Sequence, residues 1–147
     1  MGIDKKDLQI ITLLKGDSSL STHKISKKTH IPITTIHNRI KKLKNEGIIK
    51  NFTINLDHKK LGETISAYIL ITINYNVSGT KIDQTAIAKK INYFDEVYSV
   101  SIIAGGYDMV IKVRTKDIEA LNEFIINKLR NIEGIDKTQT LTIMKEI

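Results

Sequence analysis

The chain has 147 residues, 23 Lys and Arg against 16 Asp and Glu for a net charge of +7, 41% hydrophobic residues, and neither Cys nor Trp. This is the composition of a soluble globular chain, and it excludes a disulfide framework and any thiolate metal site. No apolar run approaches the ~18 residues of a membrane span, and the mixed charges of Met1 to Asp7 open no secretion signal.

The charge is lopsided. Residues 1–60 hold 13 Lys and Arg against 5 Asp and Glu, a net +8, whereas residues 61–147 hold 10 against 11, a net −1. All four histidines lie in the first part. A basic excess at one end points to a polyanionic partner, nucleic acid or a membrane surface.

The first part reads as three helices. Asp4 is a capping residue ahead of Leu8, Ile11 and Leu14, which share one face at helical spacing, and Gly16-Asp17-Ser18-Ser19 breaks that helix. Ser21 or Thr22 caps a short helix, His23 to Thr29, with Leu20 and Ile25 inward. Pro32 fixes its own φ and keeps Ile31 out of helical geometry. A third helix follows from about Ile33 to Asn45, closed by Gly47.

The third helix is the informative one. Ile36, Ile40 and Leu43 fall on one narrow stripe. Opposite lie Thr34, Asn38, Lys41 and Asn45, flanked by His37 and Lys42, with no carboxylate before Glu46. Hydroxyl and amide groups read base edges, while Lys and Arg hold phosphates. A helix that is merely solvated mixes Glu with Lys for i,i+4 support. Thr34, His37, Asn38 and Lys41 are therefore expected at bases, Arg39, Lys42, Lys44 and Lys50 at phosphates, and Thr35 within the same interface.

After Gly47, Ile48, Ile49, Phe52, Ile54 and Leu56 are spaced by polar residues, which predicts a short two-stranded wing passing into a connecting strand. Residues 57–63 are polar and turn-rich. The expected organisation is a DNA-binding domain over 1–50, a connecting strand and linker over 51–63, and a second domain over 64–147.

The second domain alternates strand and helix: strand 65–75, loop 76–80, helix 81–91, strand 97–104, a Gly105-Gly106 hairpin turn, strand 107–114, helix 117–130 and strand 137–144. The order β-α-β-β-α-β is that of a ferredoxin-like split unit, so the fold class is α+β. Ile69, Ile71 and Ile73, with Tyr98, Val100, Ile102, Met109, Ile111, Val113, Leu141 and Ile143, are expected beneath the helices. The reverse face would hold Tyr68, Leu70, Thr72, Thr138, Thr140 and Thr142 with few charges. Such a face does not stay wet, and a second copy of the chain is its expected cover.

No spacing gathers the histidines into a metal site, and no phosphate-binding, dinucleotide or hydrolase motif is present, so no catalytic residue, metal or cofactor is predicted. Gly105-Gly106-Tyr107-Asp108 is first a turn; its backbone NH groups, carboxylate and phenol are also a suitable grip for a zwitterion.

Together these segments resemble a known family. The runs 8–14, 25–28 and 31–49, above all Arg39-Ile40-Lys41-Lys42-Leu43 followed by Glu46-Gly47-Ile48-Ile49, are similar to the winged helix-turn-helix of Lrp/AsnC-type transcription regulators. Leu61-Gly62 and Gly105-Gly106-Tyr107-Asp108 resemble that family's effector-sensing domain, and the Lys- and Ile-rich composition is similar to its archaeal members. The departures are Pro32-Ile33 where a small capping residue is common, and His30 where glycine is usual. The resemblance implies a cytoplasmic regulator that binds double-stranded DNA, with homodimers assembling into tetramers or octamers. It further implies an amino-acid effector held at Gly105, Gly106, Tyr107 and Asp108, with Thr138 and Thr140 on the neighbouring last strand. Two alternatives stay open. One is a non-specific architectural DNA binder. The other is an enzyme of the sirohaem decarboxylase type, against which stands the lack of any histidine after residue 60.

Overall fold

In the computed structural model, which describes residues 2–146, the chain divides into two compact units, Met1–Leu56 and Asp57–Ile147. The division falls inside the stretch 51–63 expected to connect the domains.

The first unit holds α1 (Lys5–Gly16), α2 (Thr22–Thr29) and α3 (Ile33–Asn45). A reciprocal capping box starts α1: Asp4 accepts from the Asp7 amide at 2.9 Å, and Asp7 accepts from the Asp4 amide at 3.2 Å. Ser21 caps α2 through the Lys24 amide. His30, which stands where glycine is usual, ends α2 in the left-handed region at φ 58°. Pro32 precedes α3 and offers no side-chain cap. At the far end Gly47 takes φ 71°, its amide bonds the Lys44 carbonyl, and the Ile48 amide bonds the Leu43 carbonyl. That pair of bonds is a Schellman motif.

Ile10, Leu14, Ile25, Ile31 and Ile36 form the core of this unit. The inward stripe of α1 is Asp7, Ile10 and Leu14; Leu14 is as expected, but Asp7 and Ile10 take the places expected of Leu8 and Ile11, and Leu8 is exposed. A buried carboxylate sits where an apolar residue is expected, because Asp7 pairs with α3. Residues 48–64 contain no strand, so the segment after α3 has no hydrogen-bonded ladder of the kind expected for the wing. Two short strands are marginal without a third or a covering layer, and Phe52, Ile54 and Leu56 remain exposed.

The second unit contains β1 (Ile65–Ile73), β2 (Asn76–Val77), β3 (Thr80–Lys81), α4 (Gln84–Asn92), β4 (Val97–Ile102), β5 (Met109–Thr115), α5 (Ile118–Glu123) and β6 (Ile135–Thr142). Between α5 and β6 the helix continues as a π-helical stretch, Phe124–Leu129. The main sheet has the order β4-β5-β1-β6 and is antiparallel throughout, as a ferredoxin-like unit requires. Where a loop was expected, β2 and β3 form a small hairpin whose turn residues, Ser78 and Gly79, take φ 51° and 82°.

One face of the sheet packs Ala67, Ile69, Ile71, Met109, Ile111 and Val113 against Ile87 and Ile91 of α4 and against Leu121, Phe124 and Leu129 of α5 and its π-helical continuation. Full burial of each large aliphatic or aromatic side chain contributes roughly 1.5–3 kcal/mol. Gly134 fits here because a Cβ would meet Ile82 at 2.7 Å and Ile87 at 2.9 Å, and its φ is 94°.

Register corrects the expected faces. On β6, Thr138, Thr140 and Thr142 lie opposite Ile71, Ile69 and Ala67, on the helix side, whereas Leu141 lies opposite Tyr68 on the outer side. The expected faces of β6 are thus inverted, because one residue of slip exchanges the faces of a strand. Tyr98 also differs. The ladder shifts between Val97 and Ser99, and this bulge turns the Tyr98 ring to the outer face, within 5.4 Å of Lys112 Nζ.

Candidate nucleic-acid interface and effector loop

α3 buries Ile36 and Leu43 completely, which turns the opposite side of the helix outward. Thr34, His37, Asn38 and Lys41 are all exposed and Thr35 is partly so. Among the described residues none of the first four has a side-chain hydrogen bond or ion pair, so their polar groups are available to a ligand. Lys50 is exposed, and Lys44 lies over the Phe52 ring with its ammonium at 5.3 Å. The chemistry offered is one hydroxyl, one amide, one imidazole and one ammonium, with no carboxylate among them.

Arg39, expected at a phosphate, is paired within its own unit. Its Nη1 donates to Asp4 at 2.6 Å and to Asp7 at 2.8 Å. Lys42 Nζ stands 3.7 Å from the second oxygen of Asp7. Burial pushes the Asp7 carboxyl up, but the Arg39 guanidinium and the Asp4 amide outweigh it and hold the group below the usual carboxylate range. The Asp7 amide and Arg39 do the same for Asp4, and the two carboxylates hold the Arg39 guanidinium up.

α2 also carries exposed cations, beyond those expected at DNA. Lys24, Lys27 and Lys28 are exposed, and the helix carries no acidic residue. The signal was there: Thr-His-Lys-Ile-Ser-Lys-Lys-Thr is as free of acid as the outward face of α3.

In the second unit the turn between β4 and β5 is longer than two residues. It runs over 103–108 and is closed by the Ile103 amide on the Asp108 carbonyl at 3.0 Å. Gly105 takes φ 145°, whereas Gly106 has no such requirement, and a Cβ on either would meet nothing within 4 Å. Asp108 is knotted into its own unit. Its carboxylate accepts from the Ile73 amide at 2.8 Å and from the Tyr75 hydroxyl at 2.7 Å, and its carbonyl accepts from Gln84 at 2.9 Å. The bond to Asp108 pushes the Tyr75 phenol up. Tyr107 donates to Gln139 of β6.

Gln139, which lies between the two threonines in sequence, is thus the residue of β6 that meets the loop. Thr138 and Thr140 occupy the other face: Thr138 accepts from Arg130 at 3.2 Å, and Thr140 lines an open groove of about 420 Å3 with Ile118, Leu121 and Ile125. The structure brings Tyr107 to Gln139 and Asp108 to Tyr75, and brings neither threonine to the loop.

Known proteins share both units. The profile of the Lrp/AsnC ligand-binding domain matches residues 66–147, and that of a winged helix-turn-helix DNA-binding domain matches residues 3–50. An uncharacterised HTH-type transcriptional regulator of Pyrococcus horikoshii is 38% identical over 99% of this chain and 97% of its own. The HTH-type transcriptional regulator FL11 of Pyrococcus furiosus is 36% identical over 97% of this chain and 90% of its own. The structure of E. coli AsnC superposes with a TM-score of 0.85 at 29% identity, covering 99% of this chain and 95% of that one.

Proposed function

Since this chain belongs to the Lrp/AsnC family of DNA-binding transcription regulators, we propose that it binds operator DNA as a homodimer with the outward face of α3 in the major groove. It is a regulator and not an enzyme, as its relatives are. The observation that carries the proposal is the exposed and acid-free side of α3, on which Thr34, His37, Asn38 and Lys41 have no partner in their own unit among the described residues. Asn38 suits adenine and Lys41 suits guanine. Lys24, Lys27, Lys28, Lys44 and Lys50 hold phosphates on either side. DNA as partner places the work of the protein in the cytoplasm.

The dimer forms through the outer face of the sheet. Tyr68, Tyr98 and Leu141 are large, apolar and exposed there, and each unit alone is near the size at which a core is marginal. Two copies then read half-sites related by the dimer axis, and dimers associate further into tetramers or octamers. The effector is an amino acid. Its support is the ligand-binding family of residues 66–147 together with the loop 103–108. There Gly105 and Gly106 leave open space, Tyr107 and Gln139 supply polar groups, and Asp108 fixes the loop through Ile73 and Tyr75.

A titration tests the DNA reading. A duplex selected from a random pool by the full-length protein binds more tightly than its scrambled counterpart, and both affinities fall steeply with salt as counterions are released. Equal affinity for the two duplexes at every salt concentration would leave an architectural DNA binder instead.

A further inference from the structure

The cluster at the base of α3 carries no net charge. Asp4 and Asp7 of the α1 capping box face Arg39 and Lys42, so two carboxylates neutralise two cations. Asp7 is wholly buried, and Arg39 is largely so. The buried Nε of Arg39 has no partner among the described residues. A guanidinium held between two carboxylates would have to break both charge-assisted bonds before taking a phosphate. A buried Asp7 left alone would be strongly disfavoured.

This arrangement answers a mechanical need of α3. The helix has no side-chain cap at its start, and its inward stripe is the narrow row Ile36, Ile40 and Leu43. Aliphatic contacts are non-directional. Hydrogen bonds from a planar guanidinium to two carboxylates are directional. Arg39 follows Asn38 directly, and Lys42 follows Lys41, so the clamped residues alternate with the exposed ones.

We propose that Arg39 is a positioning residue for DNA recognition and not a phosphate ligand: through Asp7 and Asp4 it fixes the rotation of α3, and so the aim of Asn38 and Lys41. The inference rests on the reading that the outward face of α3 meets base edges.

The test is an anisotropy titration of the full-length protein and the variants Asp7→Asn, Arg39→Lys, Leu14→Ala and Asn38→Ala. The probes are a duplex selected by the wild type and a scrambled duplex, over a range of salt. Asp7→Asn removes a negative charge beside a polyanion, so electrostatics alone make binding tighter. The latch gives the opposite sign. Affinity for the selected duplex falls by about tenfold, as when one aimed base interaction is removed, while the scrambled duplex and the salt slope change little. Arg39→Lys keeps the charge, replaces the planar guanidinium whose Nη1 holds both carboxylates by a freely rotating ammonium, and behaves likewise.

The proposal is overturned if Asp7→Asn binds the selected duplex as tightly as the wild type or more so. It is also overturned if Arg39→Lys weakens both duplexes equally, or if Leu14→Ala, which loosens the same core without touching the cluster, reproduces the loss. If Asp7→Asn is unfolded by circular dichroism, Asp4→Asn, with a half-exposed carboxylate, takes its place under the same criteria. Asn38→Ala separates the two levels. A preserved preference in that variant defeats the reading of α3, whereas a lost preference there with an unchanged Asp7→Asn defeats the latch alone.

Discussion

The two units solve opposite surface problems. Residues 1–56 carry eleven Lys and Arg against four Asp and Glu, whereas residues 57–147 carry twelve of each. Two of the four acids in the first unit, Asp4 and Asp7, are turned to Arg39, so the exposed sides of α2 and α3 are cationic. In the second unit the cations Lys112 and Arg114 of the outer sheet face are both paired with Glu146, and the large exposed groups there are Tyr68, Tyr98 and Leu141. Each unit leaves uncovered what its partner would cover: charge for a polyanion, apolar area for a second copy. Function in this chain is read more readily from where acids are placed than from where bases are.

The largest effect that sharpens this comparison comes from the core of the first unit. Ile36→Ala, at a fully buried position, costs about 2–5 kcal/mol of the stability of that unit. Circular dichroism then shows early loss of helix with the sheet signal retained, and DNA binding disappears over the same temperature range. A single coincident transition for both units would break the comparison. Next is Leu141→Asp on the outer sheet face, where burying an unpaired carboxylate against a second copy is strongly unfavourable. Sedimentation is expected to show monomers, and an unchanged dimer would move the interface elsewhere.

A smaller and graded effect is expected from Lys24→Ala, Lys27→Ala and Lys28→Ala combined. Removing one lysine–phosphate interaction reduces the slope of log K against log salt by about 1, so the slope of the combined variant is shallower by up to about 3. The ratio of selected to scrambled affinity stays as it was. The smallest effect is in acid. Asp4 and Asp7 are held below their ordinary range in the folded chain. Their contribution is therefore present in full above the unfolded carboxylate range and is lost as pH falls below about 4. Stability of the first unit followed by helix signal between about pH 5 and 2 has a shallower pH dependence in Asp7→Asn than in the wild type.

Much of this molecule was legible in the sequence, for reasons that differ by element. The bounds of α3 are set by Pro32 before it and Gly47 after it, residues whose backbone preferences are local, and the structure has the helix at Ile33–Asn45. The order of the four main strands and the two helices of the second unit follows from hydropathy period, whereas the β2–β3 hairpin does not. The faces of the edge strands do not, because β6 alternates Thr138, Thr140 and Thr142 with Gln139 and Leu141, and either set suits a half-covered edge. The same ambiguity concealed which residue of β6 meets the loop: Gln139 contacts Tyr107, and Thr138 and Thr140 lie on the other face. The bulge at Tyr98 and the pairing of Arg39 with Asp7, 32 residues apart, depend on tertiary contact and leave no periodic trace.

The most direct test of the account compares wild type with Asn38→Ala/Lys41→Ala on the selected and scrambled duplexes at one salt concentration. Two base interactions at roughly 1–3 kcal/mol each predict that the preference for the selected duplex collapses towards unity while scrambled binding persists. A double variant that keeps the preference of the wild type would contradict the claim that this side of α3 reads DNA.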